Sequence, residues 1–530
     1  MTSIAFYGGV ETIGGNCIIL EENGSRLMLD NGMCFQLEKQ YFKDFLGARS
    51  GNELRDYLKL GLVPAIPGIY DKDKLVDILC DELDENCKYM VSSELESYQE
   101  YKEKTGSPYI KALLLTHIHL DHLRNIKFMN PDIPIIMSKI SKCLVKIIGE
   151  FNSNNDFLHH RFHVRDQYSN SSYFPDELYK NKDSIKRKII VAEPNIPLHI
   201  GNFEILGYPV DHSVPGAMAY KIETQKGKKI IYTGDLRFHG RENERENSEE
   251  FVNKVSSNEI DVLITEGTRI DDSKRYGEKD VYRDVFNIIQ DDDNRSEKLI
   301  IVAFPWKGIT RFKTVYKIAK NLNRTFIIQP KLAYLLHGLR DIKSLEIEDI
   351  LKNEDIGIFL PRKGSMTYSQ ADYTQTKIEI SHTKDWEKEK ITKGNIFYEN
   401  FYDRDEILIH AGLIHENPSD YILHLDFYNL KHLIDILPPK DSFFFNLKTE
   451  PFDIEGELEE KVVKNWMAHF NLDYHPGFHA SGHASGPEIL NMIKKIDPHI
   501  VFPVHTEHPE LFPSHKTIKN IKLGAFYQIQ

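Results

Sequence analysis

The sequence predicts an α/β protein built on open sheets, with a second α/β unit placed late in the chain. Three observations predict it. The apolar run 113–115 reads as a buried strand that stops at Thr116 and leads straight into His117-Ile118-His119-Leu120-Asp121-His122. Two later strand-like runs, 229–232 and 261–265, lead into acids, Asp235 and Glu266. The stretch 298–329 reads as strand, helix, strand, the pattern of a parallel βαβ unit. Reactive side chains at the C-terminal ends of buried strands are where an open α/β sheet places its chemistry.

Composition sets the bounds. The chain has 530 residues, room for two or three domains, and is 41% hydrophobic and 28% charged, as expected of a soluble globular protein with a substantial core. The net charge of −13 argues against a chain-wide basic surface, though not against a local basic channel. No signal peptide is expected, because a strand begins by residue 4, and no apolar run is long enough to span a bilayer. The five cysteines (Cys17, Cys34, Cys80, Cys87, Cys143) include no C-x-x-C pair and lie outside the histidine stretch. They read as reduced thiols of a cytoplasmic protein, and a cysteine-ligated zinc is not expected.

Taken in order, residues 3–30 read as strand, glycine-rich turn (8–16), strand, turn, strand. No helix follows the glycines, so they are not a dinucleotide-binding loop; they permit tight backbone near the site. The third strand ends in Asp30-Asn31-Gly32. Alone, Asp30 would be a turn aspartate; beside the histidine cluster it becomes a candidate to orient a ligating imidazole. Residues 35–108 form a polar insert with helices expected at 52–60, 73–84 and 94–104, and no evident chemistry. His117 and His119, two apart, can face one way on an extended turn, and Asp121 and His122 then open a helix expected over 121–129. Imidazoles and a carboxylate at this density suit zinc or a similar divalent cation better than they suit a polar turn.

A strand at 133–137 and a helix at 138–150 follow. Residues 151–187 are expected to be irregular, and the basic run Lys180, Lys182, Lys186, Arg187, Lys188 to be a solvated face. His212, in Asp211-His212-Ser213-Val214-Pro215-Gly216, sits on a loop between two strands. From about 271 the pattern changes to the second α/β unit, whose helix 308–322 carries Lys313, Lys317 and Lys320, with Arg324 beyond it, on one stripe. That stripe fits a solvent face about as well as a phosphate track. Histidines return at 475–485, and the strand 500–504 ends at His505.

The ordered set Asp30, His117-x-His119-x-Asp121-His122, His212, Asp235, Glu266, His483 (in Ser-Gly-His-Ala-Ser) and His505 (in Phe-Pro-Val-His) resembles the β-CASP nucleases of the metallo-β-lactamase fold, the ribonuclease J type above all. The resemblance covers nearly the whole chain. It implies an αββα sandwich over 1–270 and 456–530, with an inserted β-CASP domain over 271–455. It implies two divalent cations, zinc first and manganese as the alternative: His117, His119 and His212 on one, Asp121, His122 and His505 on the other, Asp235 bridging, Asp30 behind them. It further implies hydrolysis of single-stranded RNA through a hydroxide generated by the two cations, as a 5′-to-3′ exonuclease, an endonuclease or both. Asp121, His483 and Glu266 would be catalytic, Glu266 holding the tautomer of His483. Thr449, Ser481 and Ser485 are candidates to grip phosphate. A β-CASP DNA nuclease, a lactamase-fold hydrolase of a small ester or thioester, and a metal-stabilised scaffold are the other readings. No membrane partner is expected. The family's C-terminal domain is not evident, which leaves a homo-oligomer open.

Overall fold

The computed structural model describes residues 1–43, 45–49, 52–75, 95–151, 157–164, 180–350, 352–362, 407–448 and 454–529. Two sheets face each other. The first has seven strands in the order Phe526–Ile529, Thr2–Gly8, Cys17–Glu22, Ser25–Leu29, Ala112–Leu114, Ile135–Met137, Ile189–Val191. The second has six, in the order Ile500–Val504, Val262–Glu266, Lys229–Tyr232, Met218–Thr224, Phe203–Pro209, Leu198–Ile200. Alternation along the strands divides their side chains. Ile18, Leu20, Leu27, Leu29 and Leu114 point between the sheets, against Ile205, Ile222, Ile230 and Val504. Ile19, Met28 and Leu113 point outward, into a core shared with helix Lys139–Phe151. The outer face of the second sheet, Ile231, Leu263 and Val501, packs on helices Glu242–Val255 and Gly486–Ile496. The result is the αββα sandwich the sequence implies.

A third sheet, with every pairing parallel, runs in the order Leu408–His410, Ile356–Leu360, Thr325–Ile328, Tyr421–His424, Ile300–Ala303, Phe443–Asn446, Asp473–His475. Strands Val262–Glu266 and Ile500–Val504 are hydrogen-bonded neighbours, so the whole third sheet lies between two adjacent strands of the second. It extends to His475, twenty residues past the 455 boundary read from sequence.

Several local expectations change. The helix after the histidines is one turn, Leu120–Leu123, followed by 3-10 turns over Arg124–Phe128. Its carbonyls are diverted: Leu120 O accepts from Met33 N–H and His122 O from Asn31 N–H, which ties the turn to the 30–33 loop. The helix expected from 94 starts at Tyr98, where Ser97 and Glu100 form a reciprocal cap. The helix expected over 73–84 is described only as Lys72–Leu75. The excursion 151–187 contains an antiparallel ribbon, His159–Val164 on Lys180–Lys186. Arg187 is buried rather than solvated, donating to the carbonyls of Met129 (2.9 Å) and Lys127 (3.1 Å). The lysine stripe is also partly absorbed: Lys313 lies 3.8 Å from Glu244, and buried Arg324 donates to the Lys298 carbonyl at 2.8 Å. Cys17, Cys34 and Cys143 are free thiols; Cys80 and Cys87 lie outside the described residues. No helix among the described residues is long and apolar enough to cross a membrane.

Candidate metal centre

Five strand ends and two loops converge above the sandwich. Ser25–Leu29 delivers Asp30, Ala112–Leu114 the 117–122 cluster, Lys229–Tyr232 Asp235, Val262–Glu266 its own last residue, and Ile500–Val504 His505. The loops 210–217 and 476–485 add His212 and His483. Two backbone positions are bent into the left-handed region to do this, Asp30 (φ 54°) and His505 (φ 53°), a conformation non-glycine residues adopt rarely and mostly where a site needs it. The glycine-rich turn supports the same region. The amides of Gly15 and Asn16 both donate to Asp121 O (3.1 and 3.2 Å), and a Cβ on Gly32 would collide with that same oxygen. Only glycine lets the loop lie against the start of the 120–123 turn.

The imidazole nitrogens face inward in two groups. His117 Nε2 and His212 Nε2 lie 3.0 and 3.1 Å from His119 Nδ1, so three ring nitrogens meet at one point. Asp121, His122, Asp235 and His505 form the second group, with His505 Nε2 3.0 Å from Asp121 Oδ2. Asp235 Oδ2 sits between the groups, 3.2 Å from His122 Nε2 and 3.7 Å from both His117 Nε2 and His505 Nε2. The outward nitrogens are held. Asp30 accepts from His122 Nδ1 (2.7 Å), Thr116 Oγ1 accepts from His117 Nδ1 (3.1 Å), the Gly482 carbonyl accepts from His212 Nδ1 (2.6 Å), and Thr268 Oγ1 accepts from His505 Nδ1 (2.8 Å). Each of these bonds puts the proton on the outer nitrogen and leaves an inner lone pair, the tautomer a metal ligand needs.

The inner atoms themselves lack partners. Both oxygens of Asp235 and Nε2 of His122 are buried without a hydrogen bond. A buried, unbonded carboxylate is among the most unfavourable groups a protein can hold, unless a cation compensates it. Electrostatics agree. Burial, reinforced by neighbouring imidazoles, holds His117 and His212 well below the ordinary histidine value, and burial holds His119 at about 4, so these three rings are neutral and could each offer a lone pair. Burial opposes ionisation of Asp121 and Asp235, but His122 and the other facing imidazoles prevail and hold both well below the ordinary carboxylate value. In turn Asp235, Asp30 and Asp121 overcome burial and raise His122 well above the ordinary histidine value, so without a cation this ring carries an inner proton that a metal would displace. The donor set is that of a divalent-cation centre.

His483 stands at the rim with its side chain 22% exposed, and Glu266 Oε2 accepts from its Nδ1 at 2.8 Å. Burial would depress this imidazole; Glu266 and Asp235 overcome that and raise it to about 9. Glu266, Asp235, His483 and His505 form a third grouping close enough for an ion. There, however, Glu266 is already committed, through Oε1 to Leu236 N–H (2.7 Å) and through Oε2 to His483 and Thr268 Oγ1 (2.7 Å). Thr268 thus couples His505 to Glu266. Thr268, Thr116 and Tyr232, whose hydroxyl donates to Asp30 Oδ2 at 2.7 Å, do not stand out in the sequence. Thr116 and Thr268 flank motif residues, which is the only signal they carry there.

Of the phosphate-grip candidates, Ser481 is half-buried and its Oγ accepts from the His483 amide (3.2 Å). Ser485 is buried and caps helix Gly486–Ile496, its hydroxyl donating to Glu488 at 3.0 Å, so it faces the helix rather than an open groove. Thr449 lies outside the described residues.

Comparison with known proteins gives a consistent picture. Residues 474–512, which carry His483 and His505, match the family described as "Zn-dependent metallo-hydrolase RNA specificity domain". The ribonuclease J of Mycoplasma pneumoniae is 22% identical over 528 residues, 98% of this chain and 70% of that protein. That of Mycoplasma genitalium is 21% identical over 529 residues, again 98% and 70%. A crystal structure of a protein of unknown function from Enterococcus faecalis V583 superimposes with a TM-score of 0.64 at 20% identity, covering 99% of both chains, and so shares the fold. The chain is ribonuclease J-like along nearly its whole length.

Proposed function

We propose that this ribonuclease J-like chain is a metal-dependent phosphodiesterase that hydrolyses single-stranded RNA, as a 5′-to-3′ exonuclease, an endonuclease or both. The observation that carries the reading is the pair of inward-facing ligand groups sharing the unbonded Asp235 carboxylate. His117, His119 and His212 would hold one divalent cation, Asp121, His122 and His505 a second, with Asp235 between them; zinc fits this donor set first, manganese second. Bound there, such cations supply Lewis acidity, acidifying water and neutralising phosphoryl oxygens. The chain's own residues do the rest. Asp30, Thr116, Thr268 and the Gly482 carbonyl fix the ligating tautomers. Glu266 binds Nδ1 of His483, which leaves Nε2 facing the open rim to donate to the scissile phosphate or the leaving oxygen. Glu266 beside Nδ1 favours the protonated ring against its burial, the form that can donate. The excursion 271–455 is read as a substrate-covering β-CASP domain. The RNA-specificity match at 474–512 favours RNA over DNA or a small ester.

The test is incubation of the purified protein, loaded with zinc or manganese, with 5′-monophosphorylated single-stranded RNA and matched DNA, beside an Asp121→Ala control. Metal-dependent cleavage of RNA is expected. His483→Ala should retain its metal content and lose about 10²- to 10⁴-fold in rate. A His483→Ala protein as active as the parent would remove the proton-donor role, and metal-loaded protein that cuts neither polymer would remove the nuclease reading.

A further inference from the structure

The third sheet has a topological switch of its own. From strand Ile300–Ala303 the chain crosses strand Tyr421–His424 to reach Thr325–Ile328; from Tyr421–His424 it crosses back to Phe443–Asn446 on the other side. Between two neighbouring parallel strands whose connections leave in opposite directions, the carboxyl edge opens into a crevice, the usual ligand site of an open α/β sheet. The loop that rises from Ile300–Ala303 at this crevice is Phe304-Pro305-Trp306-Lys307-Gly308. Lys307 is half-buried, and its ammonium stands 5.7 Å over the Trp306 ring. Among the described residues no carboxylate pairs with it. The charge that bears on it is positive: Lys331, exposed at the start of helix Pro330–Leu339, which follows strand Thr325–Ile328, the next but one from Ile300–Ala303. The neutral imidazole of His119 is near enough to feel the Lys307 charge. Burial and Lys331 both act against its protonation, yet the sequence places a lysine here, not an apolar residue.

A half-enclosed cation with a second cation beside it and no carboxylate partner among the described residues is a ready site for an anion that is not part of the chain. We propose that Lys307 and Lys331 form a binding subsite for a backbone phosphate of a single nucleic-acid strand, next to the metal-ligand cluster, with Trp306 offering a ring face to the adjoining base. The proposal rests on the nuclease reading for the identity of the strand. In it, the carboxyl edge of the third sheet fixes the phosphate that neighbours the scissile one, so that the latter arrives at the His119 side of the cluster. A lysine pair recognises charge and not base, so the subsite is indifferent to sequence, and aromatic stacking is tolerant in the same way.

Binding is measured by fluorescence anisotropy on the full chain with a labelled ten-nucleotide single-stranded RNA in chelator, where nothing is cut. Lys307→Gln should weaken binding about tenfold, equally for uridine-rich and adenosine-rich strands, and reduce the slope of log K against log salt by about 0.7, the loss of one phosphate contact. Lys331→Gln should act in the same direction. Lys352→Gln, the same charge change before strand Ile356–Leu360 and so at the opposite edge of the sheet, should leave affinity and slope unchanged. Quenching of tryptophan emission on binding should be lost in Trp306→Phe. Equal affinity and slope for Lys307→Gln and the parent chain would overturn the subsite, as would a parent chain that does not bind the strand at all. Lys307-dependent binding by a metal-loaded chain that never cuts RNA would keep the subsite and defeat the nuclease reading instead.

Discussion

Asp30 shows how much one side chain behind the ligands decides. It is wholly buried and accepts four hydrogen bonds: from Thr116 N and Oγ1 (both 2.8 Å), His122 Nδ1 (2.7 Å) and Tyr232 OH (2.7 Å). Asp30→Asn keeps the size and tolerates the left-handed backbone, but it turns an acceptor into an N–H that confronts donors. His122 then loses the contact that fixes its tautomer. Metal affinity should fall about 10- to 100-fold in chelator competition, with the circular dichroism spectrum retained; unchanged affinity would show that Asp30 serves only the fold. A second residue, in the third sheet and outside the candidate ligand groups, adds to the chain's acid sensitivity. His424 is fully buried, stacked on Phe304 at 4.1 Å, and donates from Nε2 to the Phe304 carbonyl. Burial lowers its pKa from 6.5 to about 4. The unfolded chain therefore takes up this proton first as pH falls. The stabilising term is intact above 6.5 and is lost through the window from 6.5 down to about 4, on the order of 3 kcal/mol in all. Urea unfolding of chelator-stripped protein should lose this slope in His424→Gln.

At the scale of elements, Ser485 separates two roles that a loop serine can have. Its hydroxyl and amide both reach Glu488, closing the N-terminus of helix Gly486–Ile496. Ser485→Ala should reduce stability by about 1 kcal/mol and leave metal content and the KM for RNA unchanged; a raised KM at unchanged stability would return it to the substrate. The same helix shows what could be read from sequence. The strand Ile500–Val504 after it was legible because it is a local pattern, and the candidate ligand His505 at its end was legible with it; the cap was not, and Ser485 read instead as a phosphate grip. The ribbon His159–Val164 with Lys180–Lys186 was not, since its polar strands carry no apolar alternation. Nor was the shortening of the 120–123 turn, which depends on hydrogen bonds to a loop some ninety residues earlier. Thr268 and the Lys307 loop acquire meaning only when distant strand ends are brought together.

The molecule as a whole closes its site with residues from both ends of the chain. Asp30 and the 117–122 cluster come from the first sheet, Asp235 and His505 from the second, and the entire third sheet intervenes between the strands that deliver Glu266 and His505. Without a cation, the core between the sheets and the hydrogen bonds behind the site hold these elements in register, while the Asp235 oxygens stay buried and unbonded. Cations shared by both sheets would therefore act as cross-links that the unfolded chain cannot reproduce. Ligand held at about a hundred times its dissociation constant adds about 2.7 kcal/mol to the folded state. Stripping with chelator should accordingly lower the melting temperature of the parent chain by a few degrees, and re-addition of zinc should restore it. His483→Ala, outside the ligand groups, should show the full metal-dependent rise. Asp235→Asn should show little of it, because the shared carboxylate is gone, and its stripped form should melt no lower than the stripped parent, since a neutral amide is easier to bury there. A parent chain that melts identically with and without metal would mean that the two sheets close on their own, and that the inward ring nitrogens are packing rather than ligands.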